Sequence, residues 1–494
     1  MIDAISNMFG EYTALVPMIF LIVGALLAPA VQLMTKNRTA TWAFSLVMVI
    51  LSMVFNILMM TDYGGVDAYK GTCLGVAYNA YSGVMILLFQ IVLFLAVFVS
   101  NESVETTRLH VGAYYALLMG AALGMMVVVC SNDLITIFVG VELTSISSYA
   151  AVSMKRNDSR AAEAAVKYVV IGGMSTALTL YGISMIYGLA HTTVISDIYV
   201  SDISIMYIIG LICMIAGYGF KIAAVPFHMW APDVYEGSAT PVSLFLATGS
   251  KKMGLAVFFQ IFLVLFIGAN VCAGVKEVQY VFAIIAAFTM TVGNVVAIAQ
   301  SNIKRMLAYS SIAQAGYILI VMAVMSEYAT SAGIFHMFTH VFMKGGAFLV
   351  VGALICAGVG EKISDYRGLA KRAPLLAAAM MLFLFSLAGI PPLAGFTSKF
   401  FLFSGAIVGP TGGVASQWVW LALIAILNSA ISLYYYARVV KAMYIEKGTS
   451  CEKIAVPKTF VLAIVICVVF VIVLGVYPQL LYGFCENAAA ILFQ

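Results

Sequence analysis

Apolar runs long enough to cross a bilayer recur along this chain from end to end, and they constrain it more than any other feature. A spanning helix needs about 20 mostly apolar residues. Fourteen such runs can be drawn, at about 14–34, 42–61, 82–100, 111–130, 133–154, 163–189, 203–229, 240–268, 278–299, 306–326, 331–358, 375–408, 417–440 and 457–479. They are called spans one to fourteen below. In hydrocarbon every backbone polar group must be paired within protein, which leaves helices as the solution for such runs. Charged residues make up 9% of the chain, against about 25% in soluble domains. The chain therefore reads as an all-α polytopic membrane protein with about 14 transmembrane helices. Its connections are short, with no soluble domain between spans. Met1–Thr13 holds two acids and no base, so the first run reads as a retained span and not a cleaved signal.

Lysine and arginine placement predicts orientation. Loops after odd-numbered spans hold Lys36, Arg38, Arg108, Lys155, Arg156, Arg160, Lys304, Arg305, Lys362, Arg367, Lys371, Arg372, Lys441, Lys447, Lys453 and Lys458; loops after even-numbered spans hold Lys70 and Lys276. This asymmetry puts the odd-numbered loops in the cytoplasm and both termini outside, in a cell (plasma) membrane. It also supports the count, because one missed span would scramble it.

Arg438 lies near the inner end of its span and can snorkel to the interface. The other bases left inside apolar runs are all lysine: Lys167, Lys221, Lys251, Lys252, Lys344 and Lys399. Each costs roughly 2.5–3.5 kcal/mol at mid-membrane, and such residues mark ion paths by default. Arginine holds its proton in proteins, whereas lysine releases it readily on burial. Glu142 is the one acid well inside a span. Spans five and six should be neighbours, so an ion pair between Glu142 and Lys167 is expected. It either tunes a lysine or simply pins two helices.

Ala216–Lys252 opens apolar, then meets Lys221, Pro226, His228, Pro232 and Asp233 before reaching Lys251 and Lys252. Proline removes a backbone donor and breaks a helix, so span seven should be interrupted near Lys221. A lysine merely reaching the interface is the plainer reading. Adjacent lysines point about 100° apart on a helix; one of the pair should face the interior, with Lys252 left to a polar seam or a neighbouring subunit. In span twelve, Pro391 and Pro392 between Gly389 and Gly395 precede Lys399, the same combination of break and deep lysine. Interrupted spans five apart suggest two inverted five-helix repeats, spans 4–8 and 9–13, as in many transporters. The implied division is 1–110 for the first three helices, 111–268 and 269–440 for the repeats, and 441–494 for the last helix.

His336, His340 and Lys344 recur at i, i+4 and i+8 and share one helix face. Two histidines at that spacing could bind zinc, but the next titratable group on the face is a lysine and no acid or cysteine accompanies them. A proton-relay stripe fits better, given histidine's pKa of about 6.5. His228 is a further relay candidate. The eight cysteines are scattered without a C-x-x-C, which argues against a metal or iron–sulfur site.

At these residues the chain resembles the antiporter-like membrane subunits of respiratory complex I and its relatives, nearest the subunit N type of NADH:quinone oxidoreductase and archaeal F420H2 dehydrogenase. The motifs are EAAVKY with Lys167, FKIAAVPFHMWAPDVYEGSATPV with Lys221, ATGSKK with Lys251, NIKRMLAYSSIAQAGY at 302–317 and GIPPLAGFTSKF with Lys399. They span roughly 110–440. The resemblance implies proton-translocation roles for Glu142, Lys167, Lys221, Lys251 and Lys399. Lysine at 399 favours subunit N over subunit M, which carries glutamate there. The FHMFTHVFMK stripe is more like subunits L and M and the Mrp antiporters.

The expected function is proton translocation in a redox-driven, NADH- or F420H2-linked complex. Protons would load Lys221 from the cytoplasm, with Glu142 and Lys167 biasing it. They would pass Lys251 and the histidine stripe to Lys399 and leave outside. The chain carries no nucleotide motif, flavin fingerprint or cluster ligands. Redox chemistry, with its flavin, iron–sulfur clusters and quinone or phenazine, is expected in partner subunits of a multi-subunit respiratory complex. A cation/proton antiporter subunit of Mrp or hydrogenase type is one alternative; a passive membrane scaffold is another.

Overall fold

The computed structural model of the chain describes residues 15–62, 76–106, 110–155, 158–267, 272–408, 417–448 and 452–493. Among these, thirteen helices are long and apolar enough to cross a membrane: Val16–Thr35, Arg38–Thr61, Ala80–Ser100, Val111–Val129, Leu134–Ser153, Ser159–Ala190, Ile205–Ile222, Thr240–Ile267, Val275–Ala299, Ile303–Val324, Glu327–Cys356, Val419–Tyr444 and Lys458–Val476. Each falls on a predicted span. Span twelve is instead two shorter apolar helices, Pro374–Ala388 and Ala394–Val408. A helix that the apolar pattern did not predict, Gln479–Ile491, follows span fourteen.

Both predicted interruptions are present. Span seven stops at Ala223, whose left-handed backbone (φ 56°) turns its N–H back onto the Gly219 and Phe220 carbonyls. The chain resumes as the short helix Trp230–Gly237. Span twelve stops at Gly389 (φ 93°), whose N–H returns to Phe385 and Ser386. Glycine takes that conformation without the Cβ penalty. Val225–Pro226 and Pro391–Pro392 are cis.

Span eight departs from a regular helix in a way the sequence did not suggest. Two π-helical turns, Leu246–Ser250 and Phe259–Leu263, flank an α segment that begins with Lys251 and Lys252. Such wide turns are frequent at functional sites. Spans eight, ten and eleven are almost wholly buried, whereas spans one, two, six and fourteen present apolar faces outward. Span eight touches spans three, four, five, seven, ten and eleven, so no face of it is left for lipid. That is why Lys251 and Lys252 are both about 1% exposed, contrary to the expectation that only one would turn inward.

Loop contacts follow the predicted alternation of sides. Val76 bridges Ser131 and Asp133 bridges Val194, joining even-numbered loops; Asn302 bridges Lys362, joining odd-numbered ones. Ion pairs also join odd-numbered loops. Glu105 holds Lys155 at 3.2 Å and Lys304 at 3.4 Å; Lys304 also meets Glu361 at 3.0 Å, and Arg160 meets the same Glu361 at 3.7 Å.

Candidate functional site

Lys221 lies in the last turn before the span-seven break. The post-break helix folds back over that turn: the Trp230 indole donates to the Phe220 carbonyl at 2.9 Å and stacks on Tyr168 with ring centres 4.6 Å apart. Lys221 Nζ is therefore enclosed by rings, at 5.4 Å from Tyr149, 5.7 Å from Tyr168 and 6.0 Å from Phe220. It is 3% exposed and has no hydrogen-bond partner among the described residues. Ring faces stabilise an ammonium, but they accept no proton. The nearby charge that acts on it is the carboxylate of Glu142.

Contrary to the sequence-based expectation of an ion pair, Glu142 does not meet Lys167. It accepts a hydrogen bond from Thr176 at 2.8 Å and lines a shallow lateral cleft with Tyr149, Ser153 and Val169. The Lys167 side chain is 42% exposed and binds Glu163 at 2.6 Å and Asp233 at 2.7 Å. Spans five and six do pack together, but their facing sides carry Glu142 and Thr176, nine residues beyond Lys167. Asp233 receives a second cation, Arg305, at 2.6 Å; Arg305 also holds Glu236 at 2.9 Å.

Lys251 donates to Ser311 at 3.3 Å and lies 5.4 Å from the Tyr235 ring. His228, in the break, packs edge-on against Tyr309 at 6.5 Å. The stripe on span eleven faces span ten. Lys344 donates to Ser310 at 2.5 Å and to the Leu307 carbonyl at 3.1 Å. His336 bridges two helices: one ring nitrogen is 3.0 Å from Gln314 and the other 2.9 Å from Ser398. His340, 6.3 Å away ring to ring, is fully buried with neither nitrogen paired among the described residues.

Lys399 reaches back across the span-twelve break. Its amine donates to the carbonyls of Leu387 at 2.7 Å and Ala388 at 3.3 Å, and to Ser429 at 3.0 Å. These are orphan carbonyls at a helix C-terminus, where a cation is favoured. Gln314 donates to the same Leu387 carbonyl at 3.2 Å. Polar groups therefore run from Lys251 through Ser311, Gln314, His336 and Ser398 to Lys399. Lys399 borders a second lateral cleft, about 410 Å³, walled by Phe396, Phe400, Phe403 and Leu433.

Ser310, Ser311 and Gln314 complete this thread. They belong to LAYSSIAQAGY, part of the 302–317 motif given above. Their spacing on one turn of an apolar helix was the available signal. Among the described residues, no three His, Cys, Asp or Glu groups converge as a metal site.

The family model described as "NADH:quinone oxidoreductase/Mrp antiporter, TM" matches residues 131–432. The chain belongs to this family. The NADH:quinone oxidoreductase/Mrp antiporter relatives include F(420)H(2) dehydrogenase subunit N of Methanosarcina mazei, 41% identical over 413 residues, covering 80% of this chain and 81% of that one. NADH-quinone oxidoreductase subunit N of Moorella thermoacetica is 40% identical, covering 83% and 84%. Among solved structures, a chain of respiratory complex I from Thermus thermophilus superposes with TM-score 0.79 at 28% identity, covering 94% and 98%. A chain of an archaeal membrane-bound sulfane sulfur reductase superposes at 0.87 with 25% identity, covering 98% of each. A chain of the Mrp complex from Dietzia shares the fold at 0.83 and 19% identity, covering 98% of each.

Proposed function

We propose that this chain is the subunit-N-type, proton-translocating membrane subunit of a respiratory dehydrogenase complex that oxidises NADH or F420H2. The observation that carries the reading is the thread from Lys251 to Lys399. Hydrogen bonds join Lys251 to Ser311 on span ten and, one turn on along that helix, Gln314 to His336 and His336 to Ser398, while Gln314 and Lys399 share the Leu387 carbonyl. Lys221 lies at the opposite end, inside an aromatic box next to Glu142. Protons load Lys221 from the side of the odd-numbered loops, which the lysine and arginine bias makes cytoplasmic with both termini outside. They pass Lys251 and the histidine stripe, reach Lys399 and leave on the other side. Glu142 sets the field at Lys221. Lys167 acts at the mouth instead, holding Asp233 together with Arg305. The two broken spans divide the chain into inverted repeats at 111–268 and 269–440, between helices at 1–110 and 441–494.

Electron transfer belongs to partner subunits that carry flavin, iron–sulfur clusters and the quinone or phenazine site. Driving one charge against 100 mV takes about 2.3 kcal/mol, which those partners supply. The test is proton translocation by the native complex with Lys221→Met or Lys399→Met. The expected result is electron transfer that persists with uncoupler while protons per electron pair fall. Full stoichiometry in both variants would leave the chain a scaffold. Translocation that needed sodium would make it a cation antiporter subunit.

A further inference from the structure

The thread to Lys399 does not use Lys252, which is as buried as Lys251. The residues on the far side of Lys252 are not all apolar. Lys252, Ala256 and Gln260 follow at i, i+4 and i+8 on one face of span eight, in steps of about 6 Å along the axis. Three features converge there. The Tyr81 hydroxyl, from the start of span three, donates to the Ala256 carbonyl at 3.1 Å. That carbonyl sits where the α turns give way to the π turn Phe259–Leu263. The Gln260 amide, inside the π turn, donates to the carbonyl of Ser131. Its Oε1, more than nine-tenths buried, has no partner among the described residues. An unmet buried acceptor costs about 1–3 kcal/mol, so its place in an otherwise apolar helix calls for a reason. Ser131 is buried and bridges Val76 in the short connection between spans four and five. Asn132 beside it is exposed and donates to Ser196 at 3.0 Å.

We propose that Tyr81 and Gln260 line an outward branch, through which a proton held at Lys252 reaches the surface at Asn132. The proposal rests on the proton-translocation reading and the orientation given above. The Lys252 ammonium gives up one proton and becomes a neutral amine. Water bound to the Tyr81 oxygen and to Gln260 Oε1 carries that proton along the face of span eight and delivers it as hydronium outside the Ser131–Asp133 turn. Neither Tyr81 nor Gln260 ionises, so both are positioning residues. Lys251 feeds the lateral thread through Ser311; Lys252, about 100° around the helix, lies within electrostatic reach of His336 and His340 and is the branch point from which the outward path departs.

The experiment uses the native complex in sealed vesicles and compares Gln260→Leu, Gln260→Glu and Tyr81→Phe with Lys399→Met. Protons moved per electron pair and the uncoupled electron-transfer rate are both read. Gln260→Leu and Tyr81→Phe should lower the proton number while leaving the uncoupled rate unchanged, and Gln260→Glu should restore it. Packing damage would lower assembly or rate, not the ratio alone. Tyr81→Phe, which removes one oxygen, decides the matter if Gln260→Leu fails to assemble. Unchanged stoichiometry in Tyr81→Phe and Gln260→Leu alongside a loss in Lys399→Met overturns the branch and leaves the lateral path standing. No loss in Lys399→Met either overturns both.

Discussion

Lys221 Nζ lies 5.4 Å from the centre of the Tyr149 ring, with no hydrogen-bond acceptor among the described residues around it. A desolvated cation–π contact is worth about 2 kcal/mol. It holds an amine in place without fixing a proton to an acceptor. Tyr149→Phe keeps the ring face and should leave translocation near the parent level. Tyr149→Leu removes it and should slow translocation by about thirtyfold, the rate equivalent of losing that contact. Lys221→Arg should not rescue Lys221→Met, since a guanidinium keeps its proton. Vesicle acidification assays on the assembled complex read all three. Equal rates for Tyr149→Phe and Tyr149→Leu would show that the ring plays no part.

Asp233 receives Lys167 on one oxygen at 2.7 Å and Arg305 on the other at 2.6 Å. Neutralising Asp233 removes the acceptor that both cations share and leaves Lys167 to Glu163 and Arg305 to Glu236, so Asp233→Asn should cost more than Lys167→Gln or Arg305→Gln alone. All three side chains are 26–42% exposed, so screening keeps each pair near 1 kcal/mol or below. A double-mutant cycle on thermal stability measures it. Additive losses for Asp233→Asn and Arg305→Gln would mean that the contact is not energetically coupled.

His336 bridges Gln314 and Ser398 across three helices. His336→Gln retains a donor and an acceptor but cannot take up a proton near neutral pH. Assembly should survive while translocation drops by on the order of a hundredfold, as for loss of a general acid–base group. If His336→Gln pumps at the parent rate, the histidine is a strut and the proton passes elsewhere.

Much of this architecture was legible because bilayer thickness and proline chemistry act locally. Span lengths, the loop alternation and the breaks at Pro226 and Pro391–Pro392 are each written within a few adjacent residues. What was not legible depends on which faces meet. Glu142 and Lys167 lie on neighbouring helices, yet their side chains are separated along the axis and find Thr176, Glu163 and Asp233 instead. Lys304 counted as an ordinary loop base but is fully buried, because Glu105 and Glu361 come from other loops to meet it. Gln260 and Tyr81 carry no charge and no periodic signal. Their role depends on a π turn that composition does not announce.

Glu105 gives the sharpest pH prediction. It lies in the loop between spans three and four, where burial alone would raise its carboxyl pKa. Lys304 and Lys155, with the Thr240 backbone N–H at 2.8 Å, outweigh that and hold it at about 2. An unfolded glutamate titrates near 4.3. The folded value is the lower one, so the stabilisation is fully present above about pH 4.3 and is lost as pH falls toward 2. Its size at neutral pH is on the order of 3 kcal/mol. Glu105→Gln removes it and leaves the buried Lys304 with Glu361 as its remaining carboxylate partner. The variant should therefore unfold at lower temperature at pH 7, and its deficit against the parent should shrink as both are taken from pH 5 to pH 3. Thermal unfolding of the detergent-solubilised protein across that range reads the difference directly. A deficit that stayed constant with pH would mean that the Glu105 carboxylate is not what ties spans three and eight to Lys304.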